Sequence, residues 1–147
     1  MPKINKKEGK NMVVAQYKTK LKAEIETIWD LITETTNCTW RSDLSKIEKT
    51  DKTHFIEYTK QGYPTYFTII KQEKPYVYEM LLENGNMKGE WIGKLTSLPN
   101  EEVLVEFTEK IEVKKAILKL MVKPFLKSKQ KQYFNDLIKE IEKKQRT

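Results

Sequence analysis

One cysteine and one histidine among 147 residues leave almost no room for thiol or metal chemistry. Cys38 stands alone, which excludes an intrachain disulfide and fits a reducing compartment. No His or Cys spacing suits a metal ion, so neither a metal site nor a cofactor is expected. A Ser-His-Asp or Cys-His centre would have to use the lone His54, which sits beside Lys52 and Thr53 at a strand start and reads as exposed. Glycine and proline are sparse, five of each. Gly85, Gly89 and Gly93 recur every four residues, but on a hairpin rather than between a strand and a helix, so they make no phosphate loop. No stretch approaches about 20 apolar residues, and no membrane span is expected. The apolar run Met12-Val13-Val14-Ala15 behind the lysine-rich start is too short for a signal peptide. A cytoplasmic location is the expectation.

Charged residues make up 33% of the chain, apolar ones 38% and aromatic ones 10%. That composition is globular with a polar surface. Folding at this size buries roughly 68–70% of the unfolded chain's surface, enough for a real core. We expect a flexible basic tail over residues 1–11 and a single domain over 12–147. The net charge of +7 is uneven: +3 over residues 1–11, −4 over 12–113 and +8 over 114–146. A basic helix attracts nucleic acid or an anionic membrane surface; equally, lysines keep the back of a long helix wet while their stems cover apolar surface. Lysines without interleaved exposed aromatics argue against nucleic acid and leave at most weak contact with an anionic surface.

Along the chain, Ala15, Tyr17, Thr19 and Leu21 alternate with Gln16, Lys18, Lys20 and Lys22, which predicts a half-buried strand. Ile25, Ile28, Trp29 and Ile32 then share one helical face. Thr33 to Thr39 is polar with several β-branched residues, so that helix is short, with a second, partial helical turn expected after it. About six strands follow, broken at Asp51-Lys52, Gln61-Gly62, Pro75, Asn84-Gly85-Asn86 and Leu98-Pro99-Asn100-Glu101. Such tight turns make neighbouring strands antiparallel.

The last element is a helix expected over Pro124 to Lys144, roughly 30 Å long. Leu126, Tyr133, Phe134, Leu137, Ile138 and Ile141 make its apolar stripe. Gln130 projects at the centre of that stripe. A buried amide needs partners, so Gln130 either bonds a strand carbonyl or water, or faces a cavity. Pro124 removes a backbone donor, which predicts that Ala116 to Lys123 is a separate turn or a kinked lead-in. A sheet that curls needs a plug, and this helix is the only apolar element long enough. The fold class is therefore α+β: a curved antiparallel sheet of about seven strands, with two short helical segments after the first, wrapped round a long C-terminal helix.

Six motifs in this order resemble the START-like, polyketide cyclase/dehydrase superfamily (SRPBCC), the helix-grip fold of the major birch pollen allergen. They are Ile28-Trp29-Asp30-Leu31, Trp40-Arg41-Ser42-Asp43, Glu57 with Gly62, Gly89-Glu90-Trp91, Phe107-Thr108-Glu109 and Tyr133-Phe134-Asn135-Asp136-Leu137. The resemblance spans residues 12 to 144. It implies a hollow between sheet and helix that holds apolar small molecules. It carries over no catalytic residue, because members include lipid carriers, receptors, cyclases and co-chaperone domains.

The expected wall of that hollow is Tyr17, Trp40, Phe55, Phe67, Tyr78, Met80, Trp91 and Phe107, facing Gln130, Phe134 and Leu137. Alternation with Val105 and Phe107 turns Glu109 inward, and alternation with Phe55 turns Glu57 inward. A buried carboxylate is paired or becomes neutral, and Arg41 is the natural partner. Three functions follow: a binding protein for an apolar or amphipathic molecule such as a lipid; a cyclase or dehydratase with Glu109 as acid or base; or a co-chaperone-like interaction module.

Overall fold

The alternating stretch after residue 11 forms strand β1, Met12–Lys22, in a computed structural model that describes residues 11–146. The tail expected over residues 1–11 lies, apart from Asn11, outside the described residues. Helix α1, Ile25–Ile32, follows and buries Ile28, Trp29, Leu31 and Ile32 against the sheet. Strands β2 (Leu44–Lys49), β3 (His54–Thr59), β4 (Pro64–Glu73), β5 (Val77–Glu83), β6 (Met87–Leu98) and β7 (Glu102–Val113) complete a seven-stranded sheet. Its order is β1-β7-β6-β5-β4-β3-β2, and every neighbouring pair is antiparallel. Register shifts at Leu44/Lys46 and Ile69/Lys71 bend the strands of one half.

Alternation decides the inner face. On β7, Val103, Val105, Phe107, Ile111 and Val113 are buried, and Glu109 occupies the one inward position between Phe107 and Ile111 that is not apolar. Two of the spaced glycines are explained by close approach rather than by a phosphate loop. A Cβ on Gly93 would stand 2.7 Å from the Trp91 ring, and one on Gly89 would run into the Lys110 carbonyl of the paired strand.

Two expectations about helices change. No helix follows α1. Thr33 closes it with its N–H and its hydroxyl, both bonded to the Trp29 carbonyl. Glu34 then bonds the N–H and hydroxyl of Thr36, and Asn37 bonds the N–H of Thr39. These local bonds compete with a helical ladder and leave residues 34–43 as turns. At the other end, a single 3₁₀ turn at Ala116–Leu118 leads into one continuous helix α2, Lys119–Gln145. Pro124 lies inside α2 instead of starting it. Its ring sits on the exposed side, while Val122 and Leu126, on either side of it, are buried and hold the first turns down.

Helix α2 packs chiefly along β1, an edge strand, and touches β7 and α1. Val122, Leu126, Gln130, Phe134, Leu137 and Ile141 form its buried stripe. Side chains of the helix also pin the edge: Lys127 donates to the Gln16 carbonyl at 2.5 Å and Gln145 to that of Lys22 at 2.9 Å.

Candidate functional site

Where α2 and the sheet close together the core is filled; where they diverge a hollow remains. It is an open cavity of about 1280 Å³, bounded by β2 to β7, the turns after α1 and the first half of α2. Of the residues expected to wall it, Trp40, Phe55, Phe67, Met80, Trp91, Phe107 and Gln130 line it, as do Arg41, Glu57 and Glu109. Phe55 and Phe67 stack at 4.8 Å on paired strands, a flat apolar floor. Four others stand behind the wall. Phe134 and Leu137 are wholly buried where α2 meets β1 and β7, and the Tyr17 ring lies 4.7 Å from that of Phe134. Tyr78 sits between Trp29 and Trp91, at 5.9 and 6.0 Å. Burial pushes its hydroxyl pKa well above the usual tyrosine range.

Two polar clusters face the cavity. In the first, Arg41 donates through Nε and Nη2 to the two Asp43 oxygens, both at 3.0 Å, and through Nη1 to Glu57 Oε2 at 3.3 Å. The guanidinium lies 4.5 Å from the Tyr133 ring centroid. Burial works against the Arg41 charge, but Glu57, Tyr133 and Asp43 outweigh it and hold the guanidinium firmly protonated. Burial also raises the pKa of Glu57, and Arg41 opposes that rise.

The second cluster is Gln130 with Glu109. Gln130 Nε2 donates to the Ala15 carbonyl and to Glu109 Oε1, both at 3.1 Å. Both amide hydrogens are thereby used. The amide oxygen, Oε1, is buried and has no hydrogen-bond partner in the protein. Burial pushes the Glu109 carboxyl up to about 7; the Gln130 bond opposes the shift, Glu57 reinforces it and Arg41 opposes it. Arg41 therefore pairs with Glu57 and Asp43 rather than with Glu109, whose direct partner is an amide.

Three residues at or behind the site are absent from the wall and the pairings expected from sequence. Tyr133 is the largest: its ring meets Trp40, Phe107 and Trp91 at 5.3, 5.1 and 6.5 Å and lines the cavity. The available signal was its place three residues, nearly one turn, after Gln130 on the apolar stripe. Asp43 closes the Trp40-Arg41-Ser42-Asp43 motif, but its pairing with Arg41 was not among the expectations. Asp136, buried on α2, accepts from the Ser42 N–H at 2.7 Å and from the Ser42 hydroxyl at 2.8 Å. It fastens the Arg41 segment to the helix, and nothing in residues so far apart in sequence announces it. His54 is exposed, is bonded to Asp51 at 2.9 Å and does not line the cavity, although its neighbour Phe55 does.

The sequence matches no protein-family model and no curated protein. Solved structures do match. A START superfamily protein from Mycobacterium smegmatis superposes with a TM-score of 0.76 at 15% identity, over 90% of this chain and 97% of that one. The chain has the START-like, helix-grip fold. The Zhui aromatase/cyclase from Streptomyces sp. R1128 shares it, with a TM-score of 0.69 at 14% identity over 89% of this chain and 94% of that one. So does norcoclaurine synthase from Thalictrum flavum, solved with dopamine and hydroxybenzaldehyde, with a TM-score of 0.70 at 11% identity over 90% and 87% of the two chains. At such identities the likeness is one of fold.

Proposed function

We propose that this START-like chain is a carrier or sensor for an apolar or amphipathic small molecule, a lipid or an aromatic polyketide, held between sheet and α2. One observation carries the reading: an open, mainly apolar cavity of about 1280 Å³ between sheet and α2 has Arg41, Glu57 and Glu109 among its lining residues. Binding sites of this kind combine apolar walls with a few convergent polar groups. Glu57 and Glu109 in the wall would meet a ligand's polar end, and the Phe55–Phe67 floor would take its apolar part. Residues 12–147 act as one unit in this proposal, and the single cysteine favours a reducing, cytoplasmic setting.

Native mass spectrometry of protein purified from cells, followed by a screen of fatty acids and aromatic ligands, tests the proposal. We expect a co-purifying ligand or a submillimolar binder. A protein that carries nothing and binds nothing in that range overturns it.

A second reading has an observation of its own. A carboxyl held near neutrality in an apolar wall is suited to accept or give a proton at ordinary pH. Glu109 would then be the acid or base of a cyclisation or dehydration. On any substrate found, Glu109→Gln should abolish turnover while the substrate still binds; undiminished turnover removes the enzyme reading and leaves the carrier.

A further inference from the structure

Large apolar side chains of a surface helix normally face the core. Four side chains of the 3₁₀ turn and the start of α2 do the reverse. Ile117, Leu120, Met121 and Phe125 are 80%, 89%, 68% and 50% exposed. At about 100° per residue, Leu120, Met121, Pro124 and Phe125 fall within an arc of about 140°, so they form one ridge. An apolar ridge of this size on the outside of a fold marks a contact surface.

The charge around it is of one sign. Residues 114–135 hold seven lysines and no Asp or Glu. Lys123 and Lys127 fall on one flank of the ridge and Lys129 on the other, its ammonium 5.8 Å from the Phe125 ring. Lys114 answers Glu83 at 2.8 Å and Lys127 bonds the Gln16 carbonyl, while Lys123 and Lys129 are exposed. A second copy of the chain would bring lysine against lysine. An anionic lipid surface accepts both the apolar ridge and its lysines.

The ridge is continuous with the cavity: Met121, Phe125 and Lys129 also line it. On the opposite rim Tyr63 and Tyr66 are exposed, amphipathic rings of the kind that settle at a membrane–water boundary.

We propose that the Ile117–Phe125 ridge and its lysines dock this protein on the surface of an anionic bilayer, with the cavity mouth facing the lipid. The contact is peripheral, since no helix among the described residues is long and apolar enough to cross a membrane. Docking stands on the surface alone and survives even if the cavity binds nothing. If the carrier proposal also holds, ligand passes between bilayer and cavity without crossing water.

Co-sedimentation of the full chain with vesicles tests this. We expect partition onto vesicles of equal parts phosphatidylglycerol and phosphatidylcholine, falling with salt, and little onto phosphatidylcholine alone. The double variant Ile117→Asp, Leu120→Asp touches two exposed residues outside the cavity lining, so its melting temperature should match wild type. Its partition should fall by about tenfold or more, at roughly fivefold for each added unit of like charge. Ile70→Asp, an exposed apolar residue on β4, should bind as wild type does. The proposal is overturned if wild type ignores anionic vesicles, or if the double variant binds them equally. It is also overturned if light scattering finds a dimer that the double variant dissolves, or if heparin is retained at physiological salt while vesicles are not.

Discussion

Glu109 stores a pH dependence. Its pKa rises from 4.5 to about 7 on folding, chiefly through burial. The folded state then holds a proton that the unfolded chain releases, so stability is greatest below about 4.5 and is lost as pH climbs through about 7. The loss is on the order of 3 kcal/mol for a shift of this size. Urea denaturation across that range should show a falling midpoint, and Glu109→Gln should remove most of the fall. A midpoint in the variant that still falls as steeply would assign the effect to Glu57. Gln130 carries the second residue-scale prediction. Were it only a cavity group, Gln130→Leu would be tolerated. The bond to the Ala15 carbonyl decides otherwise. Leaving that carbonyl and Glu109 without their donor should cost about 1–3 kcal/mol and several degrees of melting temperature. If Oε1 also meets the ligand, affinity falls in the same variant; unchanged affinity makes Gln130 a structural bond alone.

At the scale of elements, α2 does two jobs with its two halves. Its second half is a core element, and Asp136 ties the Arg41 segment to it through Ser42. Asp136→Ala strands the Ser42 N–H and should cost about 1–3 kcal/mol, read as a lower denaturation midpoint. The same change should weaken ligand binding more than Asp136→Asn, which keeps an acceptor. The first turns of α2 bury Val122 and Leu126 and lack the bond that Pro124 cannot donate to Leu120. Pro124→Ala restores that bond at an exposed position and should raise stability by about 1–3 kcal/mol. A midpoint that stays put would mean the helix start contributes little to global unfolding.

For the whole molecule, the hollow couples ligand to stability. A ligand that binds only the folded state at a hundredfold excess over its Kd adds about 2.7 kcal/mol, a rise of several degrees in melting temperature. Trp40 and Trp91 line the cavity and Trp29 is core, so the same titration should change tryptophan fluorescence. A rise in melting temperature without any fluorescence change would place the ligand elsewhere. The sheet bends round a helix that fills one end and leaves the other hollow, so the residues that stabilise the fold and those that face the cavity divide along α2.

Much of this architecture was legible without coordinates. Period-two alternation on β1 and β7, the Asn84-Gly85-Asn86 turn and the stripe from Leu126 to Ile141 specify strands, hairpins and one long buried helix, because local periodicity sets which face a residue takes. The inward turn of Glu57 and Glu109 was legible for the same reason. What periodicity leaves open is the neighbour opposite that face. Tyr17, Tyr78, Phe134 and Leu137 point inward as expected but meet other side chains rather than the hollow. Arg41 had two inward carboxylates to choose from, and only the assembled fold brought it to Glu57, beside its local partner Asp43, and left Glu109 to Gln130. Pro124 marked a helix start in sequence, yet burial of Val122 and Leu126 carried the helix through it. The stretch Ala116 to Lys123 was expected only as a turn or lead-in, and the exposed ridge from Ile117 to Phe125 lies where the fold has run out of sheet to cover it. Which apolar surface is covered depends on where distant strands end, and that is a property of the assembled fold.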